Sequence, residues 1–133
     1  MYDYYVDQMQ TDFNEARTAW ETIKTQLDEV YAIGHTSRGC KARITRVSKS
    51  GQDWFKRVEK LMDRLPKDDQ PPSIELLAEL GKELRSKYLK TFSLVCDTVS
   101  ILPISKDQKK SLSEYLQSIN DYVADMKDAL QSL

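Results

Sequence analysis

The run MQTDFNEARTAWETIKTQLDEV, residues 9–30, decides the fold. Its apolar side chains fall at Met9, Phe13, Ala16, Trp20, Ile23, Leu27 and Val30, in strictly alternating steps of four and three. Steps averaging three and a half residues gather these side chains into one stripe along a helix, whereas a strand would scatter them over both faces. Tyr2 and Val6 extend the stripe toward the start of the chain. Gly34, after Ile33, supplies a glycine C-cap, and Thr36 or Ser37 offers a hydroxyl to cap the next helix. A helix is expected over about residues 2–33.

The rhythm returns three times. Cys40, Ile44, Val47, Gly51, Trp54, Val58, Leu61 and Leu65 mark a second helix over 37–65, ended by Pro66. Pro66-Lys67-Asp68-Asp69-Gln70-Pro71-Pro72 is too polar and too rich in proline to be helical, and reads as the linker. With Ser73 as N-cap, a third helix runs over 73–102 with its seam at Leu77, Gly81, Leu84, Tyr88, Thr91, Val95, Thr98 and Leu102, and Pro103 breaks it. Ser105 and Gln108 form a capping box for a fourth helix over 105–133, whose seam is Leu112, Leu116, Ile119, Val123, Met126, Leu130 and Leu133.

Four amphipathic helices joined by short turns can hide their stripes only against one another, so the expected fold is all-α, a single-domain four-helix up-down-up-down antiparallel bundle. Folding the first hairpin about its turn sets Trp20 opposite Gly51 and Ala16 opposite Trp54 or Phe55, large against small as interdigitated packing requires. The second hairpin sets Leu77 against Leu130, Gly81 against Met126, Leu84 against Val123, Tyr88 against Ile119 and Val95 against Leu112.

Composition narrows the function classes. Lys and Arg number 20 against 21 Asp and Glu in 133 residues, so no global charge argues for a nucleic acid or an anionic membrane. The charge is divided, however: residues 1–34 hold two bases and seven acids, residues 35–65 nine bases and three acids. Opposite signs on neighbouring helices favour the intended pairing over misregistered alternatives. No stretch approaches the length of a membrane span, and two cysteines are too few for a disulfide framework, which favours a cytoplasmic or other reducing intracellular setting.

Catalytic, metal and cofactor residues are expected to be absent. His35 is the one histidine and sits in a turn, Glu-x-x-His pairs are missing, and the glycines at 51 and 81 belong to seams rather than to a phosphate-cradling loop. Cys40 and Cys96 stand at similar heights on neighbouring helices, so a disulfide between them is geometrically conceivable.

Two surfaces remain as binding candidates. The third helix carries more apolar residues than a bundle corner needs, and Leu89, Phe92, Cys96 and Val99 form a ridge along one flank, expected to receive a protein partner: an amphipathic helix or a second copy of the chain. For Phe92 and Val99, lateral packing inside the bundle is the competing expectation. The second helix carries Arg43, Arg46, Lys49, Lys56, Arg57, Lys60 and Arg64 beside or opposite its seam, a patch for an anionic partner such as nucleic acid or phospholipid. Tyr115 and Tyr122 beside the fourth seam, and Phe55 and Met62 beside the second, are expected to flank the core.

The stretch from Thr91 through Val99-Ser100-Ile101-Leu102-Pro103, then Ser105-Lys106-Asp107-Gln108 and the helix after it, resembles the helix, Leu-Pro turn and helix in the carboxy-terminal bundle of the perilipin family of lipid-droplet coats. The resemblance covers about forty residues and implies a lipid-surface protein whose bundle opens onto an interface. Strict seams and matched layers imply instead a bundle that stays closed. The leading expectation is therefore a non-enzymatic interaction or scaffold module.

Overall fold

The computed structural model describes residues 1–133 and is all-helical: α1 (Tyr2–Ala32), α2 (Arg38–Met62), α3 (Ile74–Lys82), α4 (Tyr88–Ile101) and α5 (Lys106–Gln131), with a π-helical turn over Glu83–Lys87 joining α3 to α4. The backbone keeps right-handed helical angles at Lys82, Glu83 and Tyr88, so α3, the π turn and α4 are one continuous rod, and the chain has four rods. No helix is long and apolar enough to cross a membrane.

The hydroxyl caps form as the sequence suggests. Ser37 Oγ accepts from the Cys40 amide, Ser73 Oγ from the Leu76 amide, and Ser105 with Gln108 makes both bonds of a capping box. The expected glycine C-cap does not form: Gly34 has no positive φ, and the chain leaves α1 through Ile33 in an extended conformation. The Val30 carbonyl is satisfied instead by the Ile33 amide and, at 2.8 Å, by the buried hydroxyl of Thr36. A side chain from beyond the turn thus does what a left-handed glycine would have done. α2 likewise stops at Met62 rather than at 65, because Arg64 and Leu65 turn back through three-residue bonds to Leu61 and Met62.

α1 packs most extensively against α5 and next against α2, α2 packs along the third rod, and that rod closes against α5. The backbones of α1 and α4 are not neighbours and meet only through side chains at the centre, where Trp20 lies edge-on to Phe92 at 5.7 Å between ring centroids. One core of 31 buried residues fills the space between the rods. Trp54 is fully buried within it, its ring centroid 4.9 Å from that of Phe55, 5.3 Å from Tyr88 and 5.4 Å from Phe92. Offset and edge-to-face aromatic pairs of this kind add to area burial.

The seams of α1, α2 and α5 are the expected ones, except that Met62 rather than Leu61 is buried on α2 and the end positions Tyr2, Val6 and Leu133 are only partly buried. The third rod differs in part: Gly81, Leu84, Tyr88, Val95, Thr98 and Leu102 of the expected seam are buried, but Leu77 and Thr91 are only partly so, and Leu76, Leu80, Phe92 and Val99 are buried beside them. Steps of four from 76 to 92 drift off one face of a regular helix, and the wider π turn takes up that drift. Gly51 does sit beneath Trp20. Tyr88 hydrogen-bonds Asn120, close to the expected register, whereas Gly81 has Leu130 rather than Met126 as its nearest neighbour on α5.

On the α1/α5 side Asp12 is strained electrostatically. Partial burial pushes its carboxyl above the usual aspartate range, the Asp125 charge adds to the effect, and its Oδ2 is buried without a hydrogen-bond partner. The folded chain therefore holds this proton to a higher pH than the unfolded chain, and stability falls as pH rises from about 4 through the folded pKa. Asp12→Asn is expected to raise Tm at pH 7 by roughly 2–4 °C and to leave it unchanged at pH 3, as read by thermal melts at the two pH values.

Candidate anion-binding groove

The anatomy of α2 puts its bases where the third rod can meet them. With Val47, Trp54 and Val58 turned into the core, Arg43, Arg46, Arg57 and Lys60 fall along the edge of the stripe, and Arg64 continues the line just past the helix end. The third rod brings Lys82, Lys87 and Lys90 to the opposite wall. Three adjoining concavities follow this seam. The largest, of about 490 Å³, is bounded by Arg57, Lys60, Arg64, Lys82 and Lys87; the next, of about 240 Å³, shares Arg57 and Lys87 and adds Lys90; the last, small one shares Leu94 and adds Arg43 and Arg46.

The acids of the groove are already engaged. Arg57 Nε donates to both carboxylate oxygens of Glu83 at 3.0 and 3.2 Å, Arg64 Nη1 pairs with Glu79 at 3.3 Å, and Lys49 Nζ pairs with Asp53 at 3.2 Å. The side-chain nitrogens of Arg43, Arg46, Lys60, Lys82, Lys87 and Lys90 make no hydrogen bond or ion pair within the chain. Cations collected along a concave seam focus positive potential there.

One residue holds the two walls together. Glu83, 8 % exposed, opens the π turn; its carbonyl accepts the Tyr88 amide in the π pattern and the Trp54 indole N–H at 2.9 Å, while its carboxylate takes Arg57. In a regular helix that carbonyl would be used by Lys87. In the π turn that bond passes from Lys87 to Tyr88 while the carbonyl also takes the Trp54 indole from the side, and Lys87 and Lys90 are rotated relative to a regular helix continuing from Lys82.

Of the basic patch read from the sequence, Arg43, Arg46, Arg57, Lys60 and Arg64 line the groove; Lys56 is exposed outside it, and Lys49 is tied to Asp53. Lys82, Lys87 and Lys90 were missed. Their spacing of five and three looks like ordinary helix-surface lysines, and the π turn that follows Lys82 rotates Lys87 and Lys90 relative to it.

The apolar ridge is not one surface. Leu89 is 67 % exposed and Cys96 is exposed, but Phe92 and Val99 are buried in the core at 3 % each. The correction has the same cause as the shifted seam, since the π turn rotates Phe92 and Val99 inward against Trp54 and the neighbouring core. Leu94 and Ile101 are the other partly exposed apolar residues of α4, at 40 % and 47 %. Cys40 is buried and Cys96 exposed, and both are free thiols; partial desolvation against the helix surface still pushes the Cys96 thiol up, with the Asp97 charge adding to it. Phe55 and Met62 are core residues, Tyr122 is partly buried, and Tyr115 is exposed.

Two further concavities carry less chemistry. One of about 590 Å³ between α1 and the start of α5 has Glu29 as its one charged group among threonines, glutamines and aliphatic residues. Another, of about 510 Å³ near Asp3 and Lys67, mixes three acids with one base. His35 is an exposed turn residue, and no group of three or more His, Cys, Asp or Glu side chains is placed to hold a metal ion. No family model, curated protein or solved structure matches the chain.

Proposed function

We propose that this chain is a non-enzymatic binding module: four rods in up-down-up-down order whose third rod and second helix form the walls of a groove that takes an anionic partner. The observation that carries it is the set of six unpaired cations facing a continuous concave seam whose three acids are each already paired. The neighbour pattern of the rods agrees with that order, because each rod packs on the two that an antiparallel square would place beside it.

The test is retention on immobilised heparin. The chain is expected to bind at low salt and to elute as rising salt shortens the screening length below about 8 Å. A variant carrying Arg43→Glu, Arg46→Glu, Lys60→Glu and Lys87→Glu is expected to flow through while keeping its helical circular dichroism. Unchanged retention of that variant removes the proposal. Oil-emulsion flotation separates it from the lipid-coat alternative: a closed bundle stays in the aqueous phase, whereas an opening bundle rises with the oil.

A second function, docking of a protein helix or a second copy on the outer face of α4, is favoured by the exposure of Leu89 and Ile101. Leu89→Asp with Ile101→Asp is expected to abolish any self-association seen in sedimentation and to leave heparin retention intact. Self-association that survives both changes eliminates this second surface.

A further inference from the structure

We infer that the widest part of the groove, at the π turn, is a site for a compact polyphosphate group, two or more phosphates on one small scaffold; this rests on the anionic-groove function and narrows it. Arg57, Lys60, Arg64, Lys82 and Lys87 surround one concavity of about 490 Å³, with Glu79 and Glu83 as the acids within it. Five cations against two acids leave an excess of three positive charges in a space the size of a small ligand. Elsewhere the groove holds fewer: Arg57, Lys87 and Lys90 stand against Asp53 in the second concavity, and Arg43 and Arg46 stand alone in the smallest.

The donors left over have the geometry that phosphate uses. Arg57 spends only Nε on Glu83 and Arg64 only Nη1 on Glu79, so both terminal nitrogens of Arg57 and the second of Arg64 make no bond within the chain. A guanidinium edge matches a pair of phosphate oxygens, and the three lysines act as movable point charges around it. A phosphate monoester carries close to two charges on a single tetrahedral centre near neutral pH, where a carboxylate carries one, so it neutralises this excess within the smaller volume. No exposed aromatic ring lies among the lining residues to stack a base, which disfavours a single-stranded nucleic acid.

Positioning is built in. The Trp54 indole and the Arg57 guanidinium both bond Glu83, so Arg57, half-exposed at the groove, is held by the residue that opens the π turn between Lys82 and Lys87. Such anchoring reduces the ordering cost that free lysines and arginines would impose on binding.

Titration calorimetry of the whole chain with inorganic tripolyphosphate at 0.15 M salt tests the site. One saturable site per chain is expected. Lys60→Glu with Lys87→Glu should weaken it at least tenfold, whereas Arg43→Glu with Arg46→Glu, in the same groove but outside the pocket, should change it less than threefold. Two vesicle arms identify the source of the phosphates. Capture on phosphatidylcholine vesicles containing phosphatidylinositol bisphosphate, but not on phosphatidylserine vesicles of equal charge, assigns a lipid headgroup; binding of free tripolyphosphate without vesicle capture assigns a soluble ligand. Equal capture on both vesicle types overturns the inference, as does equally tight binding of an oligoglutamate of matched charge. If tripolyphosphate fails to bind while heparin retention still depends on the groove cations, the compact site is wrong and the anionic groove survives. If neither anion binds, both are wrong.

Discussion

Gly51→Ala is expected to lower stability by about 2 kcal/mol, against the direction that helix propensity alone would give. In an exposed helix the change would stabilise by about 1 kcal/mol, because glycine pays the larger backbone entropy. Here a β-carbon on residue 51 would stand 2.3 Å from Cη2 and 2.4 Å from Cζ2 of Trp20. Nothing near the indole can yield easily, since Trp20 is 1 % exposed, stacked on Phe55 at 6.1 Å and edge-on to Phe92 at 5.7 Å. Overpacking of this kind costs about 1–3 kcal/mol, and so severe an overlap belongs at or above the upper end.

The expected fall in Tm is roughly 5–10 °C, measured by thermal or urea unfolding. The mechanism is tested by a double-mutant cycle with Trp20→Phe, which removes the overlapping part of the ring. In that background Gly51→Ala should become neutral or stabilising, and strict additivity of the two changes would show that the indole is not the cause. Trp20→Phe by itself also removes a buried indole N–H that has no hydrogen-bond partner, which reduces its own cost.

Trp54→Ala is expected to cost about 3–5 kcal/mol, the largest single effect in the molecule. Trp54 is fully buried and contacts Phe55, Tyr88 and Phe92, so its loss opens a cavity where α2 meets the third rod. Trp54→Phe separates packing from hydrogen bonding. It keeps a ring in the core and loses the bond to the Glu83 carbonyl, at about 1–2 kcal/mol, because that carbonyl retains the Tyr88 amide. Trp54→Phe should also weaken tripolyphosphate binding although no charge in the groove has changed. Unaltered affinity in a folded Trp54→Phe protein would show that the π turn does not position the lysines.

The sequence-based expectations hold where local rules coincide with packing. Seams in steps of three and four place α1, α2 and α5, proline and hydroxyl signals place their ends, and the volumes of Trp20 and Gly51 set the first hairpin. They fail where a contact across a turn or between helices overrides the local pattern. Thr36 displaces the glycine cap at Gly34, and the Leu76–Phe92 run departs from its heptad because Trp54 and Arg57, 29 and 26 residues away, take hold of Glu83. Half of the groove was legible in the base-rich second helix; the other half was hidden because Lys87 and Lys90 are rotated relative to Lys82 by that turn.

By itself the sequence determined that this chain is all-helical, where each rod begins and ends to within a few residues, and that acids gather on the first helix and bases on the second. Those properties depend on neighbours within a turn or two along the chain. Only the tertiary structure decided which cations converge and which apolar side chains remain outside, burying Phe92 and Val99 while leaving Leu89 and Cys96 exposed. The physical reason is that one extra residue in a helical turn rotates everything beyond it, and its position was chosen by an indole and a guanidinium on another helix.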